Sequence, residues 1–260
     1  SIIEYTKNVI FLESGDLVYS NKKEYKIYDK DGNVVEREIK TIDWNYEKAT
    51  KEGYDHFMIK EINEQPQAIK ESISLRVKDG FINLENGFTK EEIEKFSTIY
   101  VVACGTAHHA GEVGKFAIEK FAKLPVYTEI ASEFRYQNPF IDENSLLIVV
   151  SQSGETADTL AAIKEAKRRG AKVLSITNVV GSSIDRESDK TIYCYAGPEV
   201  SVASTKAYTT QLVALYFLAL DFAYKTGKMT EEEVRDVIKN LKKVPEQITE
   251  ILKDHSVVKE

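Results

Sequence analysis

The chain has two cysteines, Cys104 and Cys194, with neither a CxxC pair nor a metal-ligand spacing around them. That scarcity excludes a disulfide scaffold and a cysteine-ligated zinc site, and it fits a reduced, cytoplasmic compartment. Long hydrophobic runs are missing too. The longest, Leu212 to Leu220, falls far short of the ~20 residues that a membrane span requires. The first residues carry no signal-peptide pattern. Positive charge is in deficit: 35 basic against 42 acidic residues leave a net charge of −7. A nucleic-acid surface would want a basic stripe, so that class is disfavoured. A small phosphorylated ligand held by local donors is not. The glycines at 105 and 111 do not complete GxGxxG, which removes the dinucleotide fingerprint. His108 and His109 are adjacent, so on a helix they point to different sides and form no i,i+4 metal pair. No metal and no cofactor are expected.

What is present is organised around Leu146 to Arg169, LLIVVSQSGETADTLAAIKEAKRR. The apolar run Leu146 to Val150 reads as a strand buried on both faces, as in a parallel sheet. Behind it, Ala157, Leu160, Ile163 and Ala166 recur at helical spacing. The polar loop between them therefore lies at the carboxyl end of a strand and the amino end of a helix. Open α/β sheets bind ligands there, and free N–H groups with the helix dipole favour an anion. Ser151, Gln152, Ser153 and Thr156 crowd that place with donors, and Gly154 allows close backbone approach. The competing reading is helix capping, by Ser153 or Ser151. Capping needs one such residue rather than four, so the loop reads as a phosphate cradle made without Lys or Arg.

The same strand–loop–helix plan recurs. Ile99 to Cys104 reads as a strand, followed by Gly105-Thr106 and a helix to about Leu124 with Val113, Phe116, Ala117, Ile118 and Phe121 inside. Thr106 can donate to the same ligand. Val126 to Ile130, Lys172 to Thr177 and Thr191 to Tyr195 supply further strands, and Ala131 to Tyr136 a short helix. This alternation predicts an α/β three-layer αβα sandwich, a doubly wound parallel sheet of about five strands. Val202, Ala203 and Ser204 form a loop after the last strand and can reach the same crevice. Ser204 is a plausible cap for a long helix, Thr205 to Thr226, whose apolar stretch Leu212 to Phe222 should be buried against the sheet and a second subunit. Thr89 and Thr230 open capping boxes, the latter starting an amphipathic helix to about Asp254. His56 to Val77 reads as helical, with Pro66 in the first turn of a new helix. Upstream, Asn8 to Leu12 and Asp16 to Ser20 read as strands, and Tyr25 to Tyr28 and Val34 to Ile42 flank the hairpin signal DKDGN, a small antiparallel fragment.

Four stretches carry a resemblance. SQSGETADT, VACGTAHHAG (Val102 to Gly111), EIASEFRY (Glu129 to Tyr136) and EVSVASTKAYTTQL (Glu199 to Leu212) are similar to the first sugar isomerase (SIS) domain of the glutamine–fructose-6-phosphate amidotransferases. The resemblance covers nearly the whole chain. It implies three segments: residues 1–45 as the closing strands of an incomplete glutaminase domain, 46–60 as a linker, and 61–260 as the first SIS domain with terminal helices. It implies a phosphate held by Ser151, Gln152, Ser153 and Thr156. Thr106, the Ala107 N–H, Val202, Ala203 and Ser204 then line the sugar end or complete the cradle. The family usually has a second hydroxyl after Thr106, and here Ala107 offers only its backbone donor.

The implied ligand is fructose 6-phosphate or a related hexose phosphate, and the implied partners are the glutaminase and second SIS domains of a parent chain and a second subunit. The family's glutaminase nucleophile is an amino-terminal Cys, absent here, so no glutamine hydrolysis is assigned. SQSGET occurs once, so one such domain is expected. The groups that move a proton between neighbouring carbons come in this family from the second SIS domain, a carboxy-terminal tail and a neighbouring subunit. No catalytic residue is assigned to this chain. Glu155 reads as a carboxylate favouring the helix dipole rather than as the base. Cys104 reads as packing. The alternatives are a SIS-type sugar-phosphate sensor, which would want a basic helical domain, and a fructosamine-phosphate deglycase, which would lack residues 1–45.

Overall fold

A computed structural model describes residues 6–41, 51–84 and 87–254. They belong to two compact units, Ser1–Thr50 and Lys51–Glu260. Residues 1–5, residues 42–50, which include the first five of the expected linker, and His255 lie outside the described residues.

The first unit is antiparallel. Its strands are β1 (Asn8–Ile10), β2 (Leu17–Ser20), β3 (Tyr25–Tyr28), β4 (Val34–Val35) and β5 (Ile39–Thr41). The order β2-β3-β4 makes one sheet, and β1 pairs with β5. The DKDGN hairpin forms because Asp29 Oδ1 accepts from the N–H groups of Asp31 and Asn33, each at 2.9 Å, the local bonding that suits Asp to turns. The strand expected from Val34 to Ile42 is two strands, since the chain leaves β3 after Val35 and joins β1 at Ile39. Among the described residues of this unit only Ile27 counts as buried core, as expected of short strands with little to pack against.

The second unit opens with α1 (Phe57–Ser74), β6 (Val77–Lys78), β7 (Phe81–Ile82) and α2 (Lys90–Ile93). Then follow β8 (Thr98–Ala103), α3 (Thr106–Phe121), β9 (Val126–Ile130), α4 (Ala131–Phe134), β10 (Ser145–Ser151) and α5 (Ala157–Arg168). The chain continues through β11 (Lys172–Thr177), α6 (Ser183–Glu187), β12 (Lys190–Tyr193), α7 (Lys206–Lys225), α8 (Glu231–Leu241) and α9 (Val244–Lys253). The main sheet has the order β12-β11-β10-β8-β9, all parallel.

Central strand β10 is buried along its whole length. Its alternate residues separate the two layers of core, as period-2 geometry requires. Leu146, Ile148 and Val150 pack with α3 and α7, through Ala117, Ile118, Leu215 and Leu218. Leu147 and Val149 pack with α4, α5 and α6, through Phe134, Ile163 and Ile184. A three-layer αβα sandwich results. Helix α3 lies close to α7 because Gly114 has no side chain: a Cβ there would stand 2.7 Å from Leu215 Cδ2.

Helix α7 is apolar almost all round. Its outer face is covered by Ile69 and Ile73 of α1 and by Val234 and Ile238 of α8. Each full burial of a Leu or Phe contributes roughly 1.5–3 kcal/mol, so α7 is a main prop of the unit. Because its own chain covers it, the Leu212 to Phe222 stretch leaves no patch that calls for a second subunit. Among the described residues, no helix is long and apolar enough to cross a membrane.

Three further expectations are corrected. Helix α1 runs unbroken through Pro66. Proline has no N–H for the carbonyl of Ile62, and the side-chain amide of Gln65 donates to that carbonyl instead, at 3.1 Å. Phe116 points outward and is 72% exposed, since α3 turns Ala117 and Ile118 to the core. The helix expected from Thr230 to Asp254 is two helices, because Pro245 at the start of α9 has no N–H to continue the ladder. Both capping boxes form as expected, at Thr89 with Glu92 and at Thr230 with Glu233.

Candidate functional site

Parallel pairing sets two loops side by side. Val150 of β10 stands beside Ala103 of β8, so the turns into α5 and α3 leave the same edge of the sheet. The loop after β12 returns to that edge and leads into α7. Together they enclose a pocket of about 200 Å³. The end of β10 and the loop after it contribute Ser151, Gln152, Ser153 and Thr156; the loop from β8 contributes Cys104 and the start of α3 Thr106 and Ala107; the loop before α7 contributes Val202 and Ser204. Of the residues singled out from the sequence, Ala203 is exposed and does not line the pocket.

The cradle loop is braced from within. Ser151 Oγ accepts from Gly154 N at 3.1 Å and lies 3.3 Å from Thr156 Oγ1. Ser153 Oγ accepts from Glu155 N at 3.2 Å. Gly154 has φ +68°, and a Cβ there would stand 2.1 Å from Ser182 Oγ. Both the left-handed backbone and the close approach require glycine. Glu155 turns away from the pocket and accepts from Ser183 N at 2.8 Å, at the start of α6.

Neither Gly105 before α3 nor Thr156 before α5 makes a side-chain cap bond. By contrast, α2, α6 and α8 are capped by Thr89, Ser182 and Thr230. Lack of a cap alone is not diagnostic, since α1 and α9 lack one too. What distinguishes α3 and α5 is that their amino ends share one pocket. Two sets of open N–H groups and two helix dipoles converge there. No Lys or Arg lines the pocket. Its lining offers hydroxyl and amide donors, a set that can hold an anion.

The loop before α7 is held differently. Ser204 does not cap the helix as expected; its hydroxyl donates to Glu199 Oε2 at 2.9 Å. Glu199 Oε1 accepts from Thr205 N at 2.9 Å and from Ala207 N at 3.1 Å. A carboxylate that reaches the N–H of the cap residue Thr205 and of Ala207 in the first turn, and carries charge toward the dipole, displaces a hydroxyl from the cap. Val202 is fully exposed beside the pocket mouth.

Sequence reasoning missed Gln211. It lines the pocket, is 1% exposed, and its Oε1 has no hydrogen-bond partner among the described residues. A buried amide without a partner is costly. The available signal was an uncharged polar residue standing just before the apolar stretch of a buried helix. Asp221, further along the same helix, is accounted for: burial raises its carboxyl pKa and Lys225 at 2.8 Å counters that.

The cysteines part company. Cys104 is half-buried and lines the pocket rather than only packing at the strand end. Cys194 is fully buried, and burial pushes its thiol up to about 12. His108 and His109 both turn to Glu112, at 3.8 and 3.0 Å. Among the described residues, no three of His, Cys, Asp or Glu converge as metal ligands would.

Comparison with known proteins shows the family. Residues 92–221 match the SIS domain. The chain is 52% identical over 260 residues to the glutamine–fructose-6-phosphate aminotransferase (isomerizing) of Caldanaerobacter subterraneus subsp. tengcongensis, covering 99% of this chain and 43% of that protein. It is 50% identical to the protein of the same name from Clostridium tetani, covering 100% of this chain and 43% of that one. It thus spans less than half the length of these relatives. Among solved structures, the C-terminal domain of glucosamine-fructose-6-phosphate aminotransferase from Francisella tularensis superposes with a TM-score of 0.74 at 43% identity, over 78% of this chain and 57% of that one.

Proposed function

The chain belongs to the SIS domain family, and from that premise we propose that its pocket holds the phosphate and one end of fructose 6-phosphate. In this reading the chain is the sugar-phosphate-binding part of an aminotransferase that makes glucosamine 6-phosphate from fructose 6-phosphate and glutamine. The phosphate lies against Ser151, Gln152, Ser153 and Thr156 and the first-turn N–H groups of α3 and α5. Charge-assisted bonds of this kind contribute on the order of 1.5–3 kcal/mol each before losses. Thr106, the Ala107 N–H, Val202 and Ser204 face the sugar. Ala203 flanks it without lining the pocket. Gln211 meets a sugar hydroxyl with its otherwise unpartnered amide.

The observation that carries this reading is the convergence of two uncapped helix starts and four polar side chains of one loop on a pocket without a cation. The same lining accounts for binding without catalysis. Moving a proton between neighbouring carbons needs a positioned base, and no carboxylate, imidazole or amine lines the pocket. Those groups belong to the rest of a longer protein, namely glutaminase and second SIS domains. The free thiols fit a cytoplasmic setting. A second copy, where it binds, would use the exposed Tyr127, Ile130, Tyr136 and Phe140 near edge strand β9 rather than α7. Sedimentation at high micromolar concentration is expected to show a dimer, and a monomer alone would refute pairing.

A steady-state assay of the chain with fructose 6-phosphate and either glutamine or ammonia tests the division of labour. No glucosamine 6-phosphate above the buffer rate is expected. Product above that rate would show that this chain carries its own acid–base groups.

A further inference from the structure

Helix α1 contributes no residue to the pocket, yet it carries three charged side chains that are buried or hold buried partners. Lys60 and Glu61 are each 2% exposed. Glu61 Oε1 accepts from Val200 N at 2.6 Å and from Ser201 N at 3.3 Å. Its other oxygen accepts the hydroxyl of Ser201. One turn on, Glu64 accepts Lys206 Nζ at 2.6 Å and lies 3.4 Å from Lys60 Nζ. Lys206 is the first residue of α7 and is 3% exposed. The segment that includes Val202 and Ser204 is therefore tied to α1 at both ends, by Glu61 before it and by Glu64 through Lys206 after it.

Burying a carboxylate costs several kcal/mol unless donors replace its water. At Glu61 the donors are two backbone N–H groups and a hydroxyl of the loop. These bonds have direction, so they set where the loop backbone runs, which apolar packing does not. Residues 202 and 203 between the ties are exposed and have no core contact to fix them.

We propose that Glu61 is a positioning residue for the sugar end of the pocket: it holds the 200–204 loop where Val202 and Ser204 meet the ligand. The inference rests on the reading of the pocket as a fructose 6-phosphate site. It does not involve the cradle of Ser151 to Thr156, which is braced by its own bonds.

Titration calorimetry of Glu61→Ala and Glu61→Gln with fructose 6-phosphate and with inorganic phosphate tests it, alongside amide hydrogen exchange at Val200 and Ser201. Glu61→Ala should weaken fructose 6-phosphate about tenfold and leave inorganic phosphate within about twofold. Glu61→Gln keeps an acceptor oxygen for the loop N–H groups and should stay within about threefold of the wild type for both. In the Ala variant, exchange at Val200 and Ser201 should speed up while the sheet stays protected. Equal weakening of both ligands would mean general destabilisation and would overturn the proposal, as would no weakening of either. If the wild type binds neither ligand, the pocket reading itself fails, and exchange alone then decides: unchanged protection at Val200 and Ser201 overturns the clamp, lost protection retains it. Should Glu61→Ala not fold, Ser201→Ala removes one donor of the same clamp and is read in the same way.

Discussion

Two of the loops that line the pocket are built on opposite principles. The cradle, Ser151 to Thr156, holds itself: its bonds run between residues two to five apart in sequence. The loop before α7 is held by carboxylates, Glu199 a few residues away and Glu61 some 139 residues away. A self-braced loop keeps its shape as long as its strand and helix exist. A loop braced from a distant helix depends on that helix being in place. Under the proposed function the self-braced loop meets the phosphate, and the loop held from α1 meets the sugar.

The largest effect should come from breaking the self-braced loop. Gly154→Ala puts a Cβ 2.1 Å from Ser182 Oγ and 2.4 Å from its Cβ, at φ +68°. The conformation alone costs about 1–2 kcal/mol for a side chain, and the clash displaces Ser182, which caps α6. Loss of sugar-phosphate binding is expected together with a lower melting midpoint. Wild-type affinity in this variant would show that the cradle is not where the ligand is held.

Smaller and more selective effects should come from single donors. Ser153→Ala and Thr156→Ala should each weaken fructose 6-phosphate by roughly tenfold, about 1.4 kcal/mol. Ser204→Ala should matter less for phosphate and more for the sugar, because its hydroxyl also leaves Glu199. Folding should survive all three, since each removes a side chain engaged in a single hydrogen bond, worth about 1 kcal/mol. Calorimetry on the set separates the loops: a Ser204→Ala loss for inorganic phosphate equal to that of Ser153→Ala would erase the distinction between them.

Gln211→Leu should move affinity and stability in opposite directions. Removing an unpartnered buried amide should hold or raise the melting midpoint. Losing its bond to a sugar hydroxyl should weaken fructose 6-phosphate several-fold, within about 1.5 kcal/mol. A variant that loses stability and keeps affinity would assign Gln211 to the core alone.

How much of this was readable in the sequence follows from the same contrast. The five strands of the parallel sheet, their order of appearance and the capping boxes depend on short spacings, and they lie where expected; the polar loop read as a cradle follows β10 for the same reason. Pro66 misled because the compensating donor, Gln65, is a side chain whose use depends on the folded helix. Ser204 misled because its rival for the cap, Glu199, competes only once the loop has closed. Glu61 carried no local signal, since it meets its partners across the fold; Gln211 offered only a polar residue at the edge of an apolar stretch, and its Oε1 stands out in the fold by having no partner among the described residues.

The smallest effect expected is a difference in chemistry between the thiols. Cys104 lines the pocket, whereas Cys194 is fully buried with its thiol pushed up to about 12. The thiolate is the reactive form, so at pH 8 an alkylating reagent should modify Cys104 first and Cys194 only on unfolding. Fructose 6-phosphate should slow the reaction at Cys104. Faster labelling of Cys194 in the folded chain, followed by mass spectrometry of the peptides, would contradict the assigned burial.

The central claim is that the pocket recognises a phosphate, and titration calorimetry with fructose 6-phosphate and with fructose tests it most directly. The account predicts saturable binding of the phosphorylated sugar and far weaker binding of the free sugar, a difference of at least about 100-fold from two or more charge-assisted bonds. Equal affinity for the two sugars would contradict it.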